Sequence, residues 1–513
     1  MTSENDNRAI VAVDVGTTTV RCHVYDSRAR LISESFQQLK ILQPSPGCKE
    51  ICPDSLWSQF TEVIKDAISA SKTSTLEEIV AMGISTHRGT YTLWDRKTGK
   101  VLHNFITWQD TRAAEFVDSV NKSISYGVVK GGAKFLHFFT RMTRWRAASS
   151  FIFSTQHAIL RLAWYFDQHP EVKCRAEAGE IMFGTIDTWL VWKLTGGKKH
   201  VTDYSNGCST GMFDPYVGME TMSLNSPKLD HDELELDLFH VTGFAYDNFT
   251  KAPRHVVADQ QSAMFGECCF ERGDVKCTMG TGTFMDINVG RHPTASKTGL
   301  YSLVCWKIKD EIVFMCEGNS ADTGTSVDWG QKIGLYDNIG DTSKLANSVD
   351  NSNGTCFVPG FSGIQAPVND DSACCAFMGL KPTTKKEHMI RAMLESFAFR
   401  FKQLYDTAMA ELKHPMSSYI KIDGGVANND FVVQLVADLT NKPVDKAKNL
   451  DTTCLGAAFL AGLQTGIWKD KEELKNLRES MRVFQPRNNQ DQYHKIYKIW
   501  EKSVQRCRKW NTE

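Results

Sequence analysis

Several features that would place this 513-residue chain in a special class are missing from its sequence. No apolar run approaches the roughly 18 residues that a transmembrane helix needs, so we expect no segment that crosses a bilayer. Basic and acidic side chains number 59 and 60, and the resulting charge of −1 argues against nucleic acid as the main partner. The N-terminus is polar and acidic, unlike a signal or transit peptide, which favours a cytosolic protein.

Familiar metal and nucleotide motifs are also missing. The fifteen cysteines follow no CxxC or Cys/His zinc spacing, so we expect reduced, mostly buried thiols. The chain has no GxxxxGK[S/T] loop, no GxGxxG and no HRD…DFG pair. Residues 207–211 fit the GxSxG pattern, but the residues before them are polar, whereas a hydrolase nucleophile needs a buried strand there.

The sequence does contain a repeated Gly/Thr turn. Residues 10–26 read as an apolar strand, a Gly-Thr-Thr-Thr turn and an alternating strand, which together predict a β-hairpin. Residues 276–289 repeat this design around Gly-Thr-Gly-Thr, about half a chain later. We therefore predict a duplicated α/β domain with a cleft between the two copies.

Helical periodicity fills the spaces between the predicted strands. Apolar residues recur at three- and four-residue steps over 56–70, 159–166, 390–409 and 431–439. Strands that alternate with helices indicate the α/β class. Near the end of the chain, a helix is predicted to pack against the core through a stripe of apolar residues: Tyr493, Ile496, Tyr497, Trp500 and Val504.

The stretch 122–146 has an unusual composition. It holds six Lys or Arg residues, no acidic residue and several aromatic ones. Contact with nucleic acid or with an acidic membrane is one interpretation. Because the chain as a whole is nearly neutral, we favour a solvated surface insertion.

The first Gly/Thr turn has the composition of a phosphate site. Glycine lets backbone N–H groups approach a phosphate, and the threonine hydroxyls add neutral donors. Arg21 follows the turn and can neutralise phosphate charge, while Asp14 precedes it and can hold Mg²⁺ through water. A second such turn suits a nucleotide that is bound from two sides.

A candidate catalytic carboxylate lies just before the second hairpin. The apolar run 256–258 ends at Asp259, which would point into the cleft if the run is a strand. Asp259 could then accept the proton of a substrate hydroxyl during phosphoryl transfer. It could equally cap the helix that follows, and the spacing alone leaves both interpretations open.

Together these motifs and several flanking blocks resemble the FGGY family of carbohydrate kinases, and within it the glycerol kinases. The matching blocks, in family order, are 13–18, 106–112, 183–190, 258–261, 279–282, 423–429 and 455–458. The resemblance runs from about residue 8 to the C-terminus. It implies an α/β fold of two actin-like, ribonuclease H-like domains that flank an ATP and substrate cleft. Residues 8–257 would form the substrate and phosphate side, and residues 258–513 the nucleotide side.

The resemblance also implies roles for individual residues. The nucleotide phosphates would be held by Thr17, Thr18, Thr19, Arg21 and Thr281. The rest of the nucleotide would be bordered by Gly324, Asp328, Gly425 and Asn429, and Asp14 would lie near Mg²⁺. Asp259 would be the general base. The polyol pocket would consist of Arg88, Trp108, Asp259, Gln260 and Phe284.

Three positions depart from the family pattern. Gly89 stands where glycerol kinases carry a glutamate for a glycerol hydroxyl, and Gln156 stands where they contribute an aromatic hydroxyl. Asp328 stands where related enzymes often carry glutamine. A pocket that lacks one partner for a substrate hydroxyl loses discrimination.

The implied activity is the ATP- and Mg²⁺-dependent phosphorylation of glycerol to sn-glycerol 3-phosphate. Two alternatives stay open at this level. One is a kinase of the same fold that acts on another small polyol or sugar, and the other is a nucleotide-bound regulatory module that has lost catalysis. The sequence does not fix the oligomeric state, and a homo-oligomer is compatible with it.

Overall fold

The computed structural model describes residues 7–71, 78–216 and 253–511, and short strands at 219–220, 228–229 and 234–235. Its strands are β1 (Ala9–Val15), β2 (Thr19–Asp26), β3 (Leu31–Gln38), β4 (Ile41–Leu42), β5 (Glu50–Ile51), β6 (Ile79–Thr86), β7 (Tyr91–Asp95), β8 (Phe105–Ile106), β9 (Ile181–Thr185), β10 (Val201–Thr202), β11 (Phe213–Asp214), β12 (Met219–Glu220), β13 (Lys228–Leu229), β14 (Leu234–Glu235), β15 (Pro253–Ala258), β16 (Val275–Met279), β17 (Thr283–Gly290), β18 (Tyr301–Ile308), β19 (Glu311–Ser320), β20 (Cys356–Val358), β21 (Ala376–Met378), β22 (Ile420–Asp423), β23 (Val444–Ala447) and β24 (Ser480–Phe484).

The helices alternate with these strands. They are α1 (Pro53–Ala70), α2 (Ala114–Lys122), α3 (Ile124–Thr140), α4 (Thr143–Ser150), α5 (Ala158–Gln168), α6 (Pro170–Glu177), α7 (Ile186–Leu194), α8 (Tyr204–Gly207), α9 (Asp259–Gly266), α10 (Thr323–Lys332), α11 (Thr342–Asn347), α12 (Lys386–Leu412), α13 (Asp430–Thr440), α14 (Thr452–Thr465), α15 (Lys471–Leu477) and α16 (Gln490–Cys507).

The six strands of the first large sheet, taken from β3 to β14, correspond to six of the seven strands of the second, taken from β19 to β24. In the first, the order is β14-β15-β6-β1-β2-β3; β1 pairs antiparallel with β2 and parallel with β6, which pairs parallel with β15. In the second, the order is β18-β19-β17-β16-β22-β23-β24; β16 pairs antiparallel with β17 and parallel with β22, which pairs parallel with β23. The predicted duplication is therefore present in the topology.

Each large sheet is followed by a helix that packs on the other large sheet. Helix α9 follows β15 of the first sheet, yet its Phe265 packs edge-on against Trp306 of the second, with ring centroids 5.2 Å apart. Helix α14 follows β23 of the second sheet and packs against β1, β6 and β15 of the first. The two helices also pack against each other. This exchange joins the halves through buried surface rather than through a flexible linker.

Small residues allow the close approach of these helices. A Cβ atom added at Gly456 of α14 would lie 1.8 Å from the Ser262 carbonyl oxygen of α9, and one at Gly266 would lie 2.2 Å from the Thr452 carbonyl oxygen. Neither position can hold a larger side chain without separating the helices.

Most local predictions from the sequence are confirmed. Both Gly/Thr segments are antiparallel hairpins, β1–β2 and β16–β17, and the four periodic stretches lie in α1, α5, α12 and α13. The closing stripe lies on α16 with its members buried or half-buried. The cysteines are free and mostly buried. The GxSxG stretch follows the short helix α8 rather than a buried strand, so it is not a hydrolase elbow.

Two further predictions have a mixed or open outcome. The stretch 122–146 lies at the surface in α3 and α4, as predicted, but much of what it exposes is apolar. The proposed domain boundary at 257/258 falls at the end of β15, between the strands of the two sheets, and stays a prediction. Across the part of the chain that the structure describes, no helix combines the length and the apolarity that crossing a bilayer requires.

The crossing of α9 and α14 can be tested by filling Gly456. Because its Cβ would overlap the Ser262 carbonyl oxygen, we expect Gly456→Ala to lower the free energy of unfolding by about 1–3 kcal/mol, as measured by chemical denaturation. Gly127→Ala is the matched control, because Gly127 lies inside α3 with no atom within 4 Å of an added Cβ. We expect this control to gain about 1 kcal/mol. A fully stable Gly456→Ala protein would contradict the crossing.

Candidate active site

Both Gly/Thr turns line one cavity of about 650 Å³. The cavity also collects most of the residues that the sequence singles out. Those in its lining are Asp14, Thr17, Thr18, Thr19, Arg21, Arg88, Trp108, Asp259, Gln260, Thr281, Phe284 and Gly425. Residues from across the chain, on both large sheets, therefore meet at one place.

The first turn is held by its own backbone and by two side chains. The Gly16 N–H donates to the Thr19 carbonyl at 2.9 Å, which closes the turn. Trp108 Nε1 donates to Thr17 Oγ1 at 3.1 Å. The buried His87 places Nδ1 2.9 Å from the Gly16 carbonyl oxygen. The turn is thus fixed before any ligand arrives, which favours phosphate binding by its free donors.

The second turn is supported by the start of α10. The Gly280 N–H donates to the Gly282 carbonyl at 2.9 Å, and the Gly324 N–H donates to the Thr281 carbonyl at 2.8 Å. A Cβ at Gly324 would lie 2.6 Å from the Gly280 carbonyl oxygen, so a side chain there would displace the turn. Gly324 therefore acts behind the turn and does not line the cavity.

A charged cluster forms the polar corner of the cavity. Arg88 Nη2 donates to Glu317 Oε2 at 2.6 Å, and Arg88 Nε lies 3.5 Å from Asp259 Oδ1. The guanidinium carbon of Arg88 is 5.9 Å from the centroid of the Phe284 ring. Burial raises the pKa of Glu317, and the Arg88 charge opposes that rise. A polyol can meet charged donors and acceptors here beside an aromatic face.

Asp259 lies at the start of α9, but the N-cap is Ala258, so Asp259 does not fill the capping role that the sequence left open, and its catalytic role stays a prediction. It is the first residue of α9, and its Oδ1 accepts from the Gln260 N–H at 2.8 Å, within the first turn of the helix. It also lines the cavity beside Arg88. Position at a helix N-terminus and exposure to the cavity are compatible, so the local contact does not exclude a catalytic role.

The neighbouring Gln260 is positioned by a buried ion pair. Lys276 Nζ donates to Gln260 Oε1 at 2.8 Å and lies 2.8 Å from Asp286 Oδ2. The side chains of Lys276 and Asp286 are fully buried. Such a pair is stable only when both partners are present, so it fixes the direction of the Gln260 amide.

Asp14 combines burial with an available oxygen atom. Burial raises its pKa to about 6, the Arg21 charge opposes the rise, and the Asp259 charge adds to it. Its Oδ1 is buried and has no hydrogen-bond partner among the described residues. Arg21 is also ion-paired with Asp451, across the cavity lining. A buried carboxylate oxygen without a partner suits a cation held beside phosphates.

Two further predicted nucleotide residues lie outside the cavity lining. Asp328 is exposed on α10, and Asn429 caps α13, with its Oδ1 accepting from the Val432 N–H at 3.3 Å. Asn429 Nδ2 donates to Thr342 Oγ1 at 3.0 Å. Their roles toward a nucleotide, like that of Gly324, stay predictions. Asn428, the neighbour of Asn429, does line the cavity.

Gly89 has a backbone conformation that favours glycine. Its φ angle is +71°, a conformation that glycine adopts readily and side chains rarely adopt. Arg161, which is fully buried, donates both to the Gly89 carbonyl and to the Gln156 carbonyl. Burial lowers the pKa of Arg161 to about 10. Gly89 and Gln156 thus line the cavity with their backbones fixed by one cation.

Sequence reasoning missed several residues of this site: His87, Arg161, Lys276, Asp286 and Glu317. The sequence contains only a weak signal for these residues. Lys276, Asp286 and Glu317 are charged residues inside otherwise apolar strands, a pattern that marks either an edge strand or a buried polar site.

Comparison with known proteins supports the resemblance noted in the sequence. The N-terminal domain of the FGGY family of carbohydrate kinases matches residues 9–218, and the C-terminal domain matches residues 275–465. "Glycerol kinase 5" of Bos taurus is 47% identical over 99% of this chain and 98% of its own length. "Glycerol kinase 5" of Homo sapiens is 47% identical over 98% of this chain and 96% of its own length. These matches confirm the predicted resemblance to glycerol kinases and extend over nearly the whole length of animal proteins named glycerol kinase 5.

Solved structures share the fold. The Plasmodium falciparum glycerol kinase with ADP superposes with a TM-score of 0.83 at 27% identity and covers 98% of both chains. A gluconate kinase from Lactobacillus acidophilus superposes with a TM-score of 0.80 at 20% identity, covering 97% of this chain and 98% of that one, which shows the fold alone. The two-domain α/β fold predicted from the sequence is thereby confirmed, and the chain belongs to the FGGY family of carbohydrate kinases.

Proposed function

We propose that this protein transfers the γ-phosphoryl group of ATP to a primary hydroxyl of glycerol, giving ADP and sn-glycerol 3-phosphate. The observation that carries the proposal is the meeting, in one cavity, of two Gly/Thr turns with the Arg88–Asp259–Glu317 cluster. The turns suit the phosphates of a nucleotide, and the cluster suits a small molecule rich in hydroxyls. Relatives at 33–48% identity over nearly the whole chain carry glycerol kinase names.

The nucleotide phosphates would lie between the turns. Thr17, Thr18 and Thr19 offer donors from one domain, and Thr281 offers them from the other. Arg21 adds positive charge beside the first turn. Because the phosphates carry several negative charges, contact from both domains would favour a closed arrangement that excludes water from the reacting atoms.

Mg²⁺ fits the environment of Asp14. Mg²⁺ is commonly bound through one or two carboxylates together with substrate phosphates and water, and Asp14 provides a buried carboxylate oxygen without a partner among the described residues. When bound, the ion would neutralise charge on the phosphates during transfer. Mg²⁺ binding requires the ionised carboxylate. Because the pKa of Asp14 is about 6, its carboxylate is mostly ionised at neutral pH and can bind the ion.

Asp259 is the proposed general base. As the glycerol oxygen forms its bond to the γ-phosphorus, the proton of that hydroxyl passes to the Asp259 carboxylate, and the bond to the β-phosphate oxygen breaks. Arg88 lies beside Asp259 and would hold a neighbouring glycerol hydroxyl. Trp108 and Phe284 would pack against the carbon backbone of glycerol.

Glu317 would supply the carboxylate that the pocket lacks at position 89. Its carboxylate enters the same corner from strand β19 of the second sheet and is only 5% exposed. Held by Arg88, it presents an acceptor for a glycerol hydroxyl where Gly89 cannot. The pocket thus has a carboxylate of its own, supplied by the opposite domain.

Other acceptors are less well supported. The similar xylulose and gluconate kinases of known structure are at most 20% identical to this chain, which bears on the fold alone. Intact Asp14, Thr17, Thr281 and Asp259 argue against a regulatory module that has lost catalysis. We expect the enzyme to act in the cytosol.

The proposal is tested by ADP formation from ATP and Mg²⁺ with and without glycerol. We expect strong stimulation by glycerol. Asp259→Asn should lower kcat by about a hundred- to ten-thousand-fold, because proton transfer loses its acceptor, while ATP binding measured by calorimetry stays near normal. ATP binding without stimulation by glycerol or by any member of a panel of polyols and pentoses would contradict a kinase. Stimulation by another polyol but not by glycerol would contradict glycerol as the acceptor.

The role of Glu317 predicts an effect on the acceptor alone. Glu317→Gln removes a charge-assisted contact to Arg88 and an acceptor for the substrate, so we expect the KM for glycerol to rise about 10- to 100-fold. The KM for ATP should change little. Glu311→Gln is the matched control, because Glu311 lies on the same strand but pairs with Lys471 outside the cavity. Equal effects on both Michaelis constants would show that Glu317 has only a structural role.

A further inference from the structure

The hairpin of α3 and α4 turns apolar side chains toward solvent. Val128, Phe138 and Phe139 are 69%, 64% and 67% exposed. The large apolar side chains exposed on this hairpin, including its connecting turn, are Ile124, Val128, Val129, Phe135, Leu136, Phe138, Phe139 and Met142. Scattered apolar residues are common on protein surfaces, but a cluster of this size is not.

The inward face of α3 is the more polar one. Tyr126, Lys130, Ala133 and His137 recur at three- and four-residue steps and are its least exposed residues. Tyr126 donates its hydroxyl to the Phe151 carbonyl at 2.8 Å, and the Lys130 ammonium lies 5.4 Å from the Tyr126 ring centroid. This arrangement is the reverse of a surface helix in water, whose apolar side faces the protein.

The hairpin is firmly attached to the rest of the protein. Arg144 Nε lies 2.8 Å from Asp214 Oδ2, and Ser150 Oγ donates to the Ser296 carbonyl at 3.1 Å. The side chain of Asn121, just before α3, exchanges two hydrogen bonds with the Phe153 backbone, at 2.8 and 3.1 Å. The exposed apolar face is therefore presented by an anchored element.

The charge of the hairpin is of one sign. Six Lys or Arg residues lie within 122–146, and the sequence has no acidic residue between Asp118 and Asp167. The Arg141 guanidinium lies 5.5 Å from the Phe138 ring centroid, so charge and apolar surface adjoin. Basic residues beside exposed aromatic and aliphatic side chains are typical of segments that lie in the interface of an anionic bilayer.

We propose that the α3–α4 hairpin docks on membranes that contain anionic phospholipids. Phe135, Phe138 and Phe139 enter the boundary between headgroups and acyl chains, and the basic side chains contact the phosphate headgroups. The chain lies on the membrane and does not cross it. Of the interpretations that the sequence allowed for this stretch, the outward apolar face favours contact with an acidic membrane.

A second copy of the chain is a poorer occupant of this face. In a twofold-symmetric dimer the same patch meets itself, so the basic residues of one hairpin would approach those of the other. Asp118 and Asp214 pair with Lys122 and Arg144, and no acidic side chain within 119–166 is present to compensate the other four basic residues. An anionic lipid surface complements both the apolar and the basic side chains of the patch.

Docking there would bring a membrane close to the cavity. Helix α4 ends at Ser150, and the next two residues, Phe151 and Ile152, line the cavity rim. The docking face and the rim thus belong to one continuous segment. The inference itself rests on the hairpin and does not depend on the identity of the acceptor.

The test is flotation of the full chain with vesicles of phosphatidylcholine alone and of phosphatidylcholine mixed with phosphatidylserine. We expect binding to the anionic vesicles and little to the neutral ones. The Phe138→Ser/Phe139→Ser variant should lose at least tenfold in partitioning, because two aromatic side chains leave the interface. The matched control is Phe36→Ser, since Phe36 is 66% exposed on β3, outside the hairpin.

The charge is tested separately. Lys134→Gln and Arg141→Gln should each lower binding to anionic vesicles about fivefold, and added salt should do the same. ADP formation by all these variants without vesicles should equal that of the wild type. Absence of vesicle binding, or binding that the hairpin variants leave unchanged, would overturn the proposal. A dimer that Phe138→Ser/Phe139→Ser dissociates, without vesicle binding, would assign the face to a second copy instead.

Discussion

The crossing of helices α9 and α14 is the constraint on which the site depends. Each helix follows one sheet and packs on the other, and glycines at positions 266 and 456 let their backbones meet. Both helices begin at the cavity: Asp259 is the first residue of α9, and Thr453 in the first turn of α14 lines the cavity wall. The position of Asp259 relative to the two Gly/Thr turns therefore depends on one buried contact.

Around this crossing, charges are buried in pairs, and one of these pairs reaches from one half to the other. Arg88 comes from the first half and Glu317 from the second, and each side chain is 12% exposed or less. Lys276 and Asp286 are buried completely and orient Gln260. Removing one partner of such a pair leaves an uncompensated charge, so the paired arrangement is strongly favoured. A strongly favoured arrangement suits an acceptor whose hydroxyl must be aligned with a phosphate.

The sequence predicted what depends on neighbouring residues. Both hairpins, the periodic helices and the α/β class follow from local patterns. The family resemblance pointed to Asp14, Arg88 and Asp259, which do line one cavity. Glu317 was missed because its partner Arg88 lies 229 residues away, a distance that no local pattern reports. The surface position of 122–146 was predicted, but the outward direction of its apolar side chains was not, because composition does not show which way a side chain faces.

The most direct test of the account is the structure of the Asp259→Asn protein with Mg²⁺, glycerol and an ATP analogue that cannot transfer its γ-phosphate. We predict that the phosphates contact both the Thr17–Thr19 turn and the Gly280–Thr281 turn. A primary hydroxyl of glycerol should lie between residue 259 and the γ-phosphate, with Arg88 and Glu317 on the remaining hydroxyls. Phosphates held by one turn alone, or glycerol bound away from residue 259, would contradict the account.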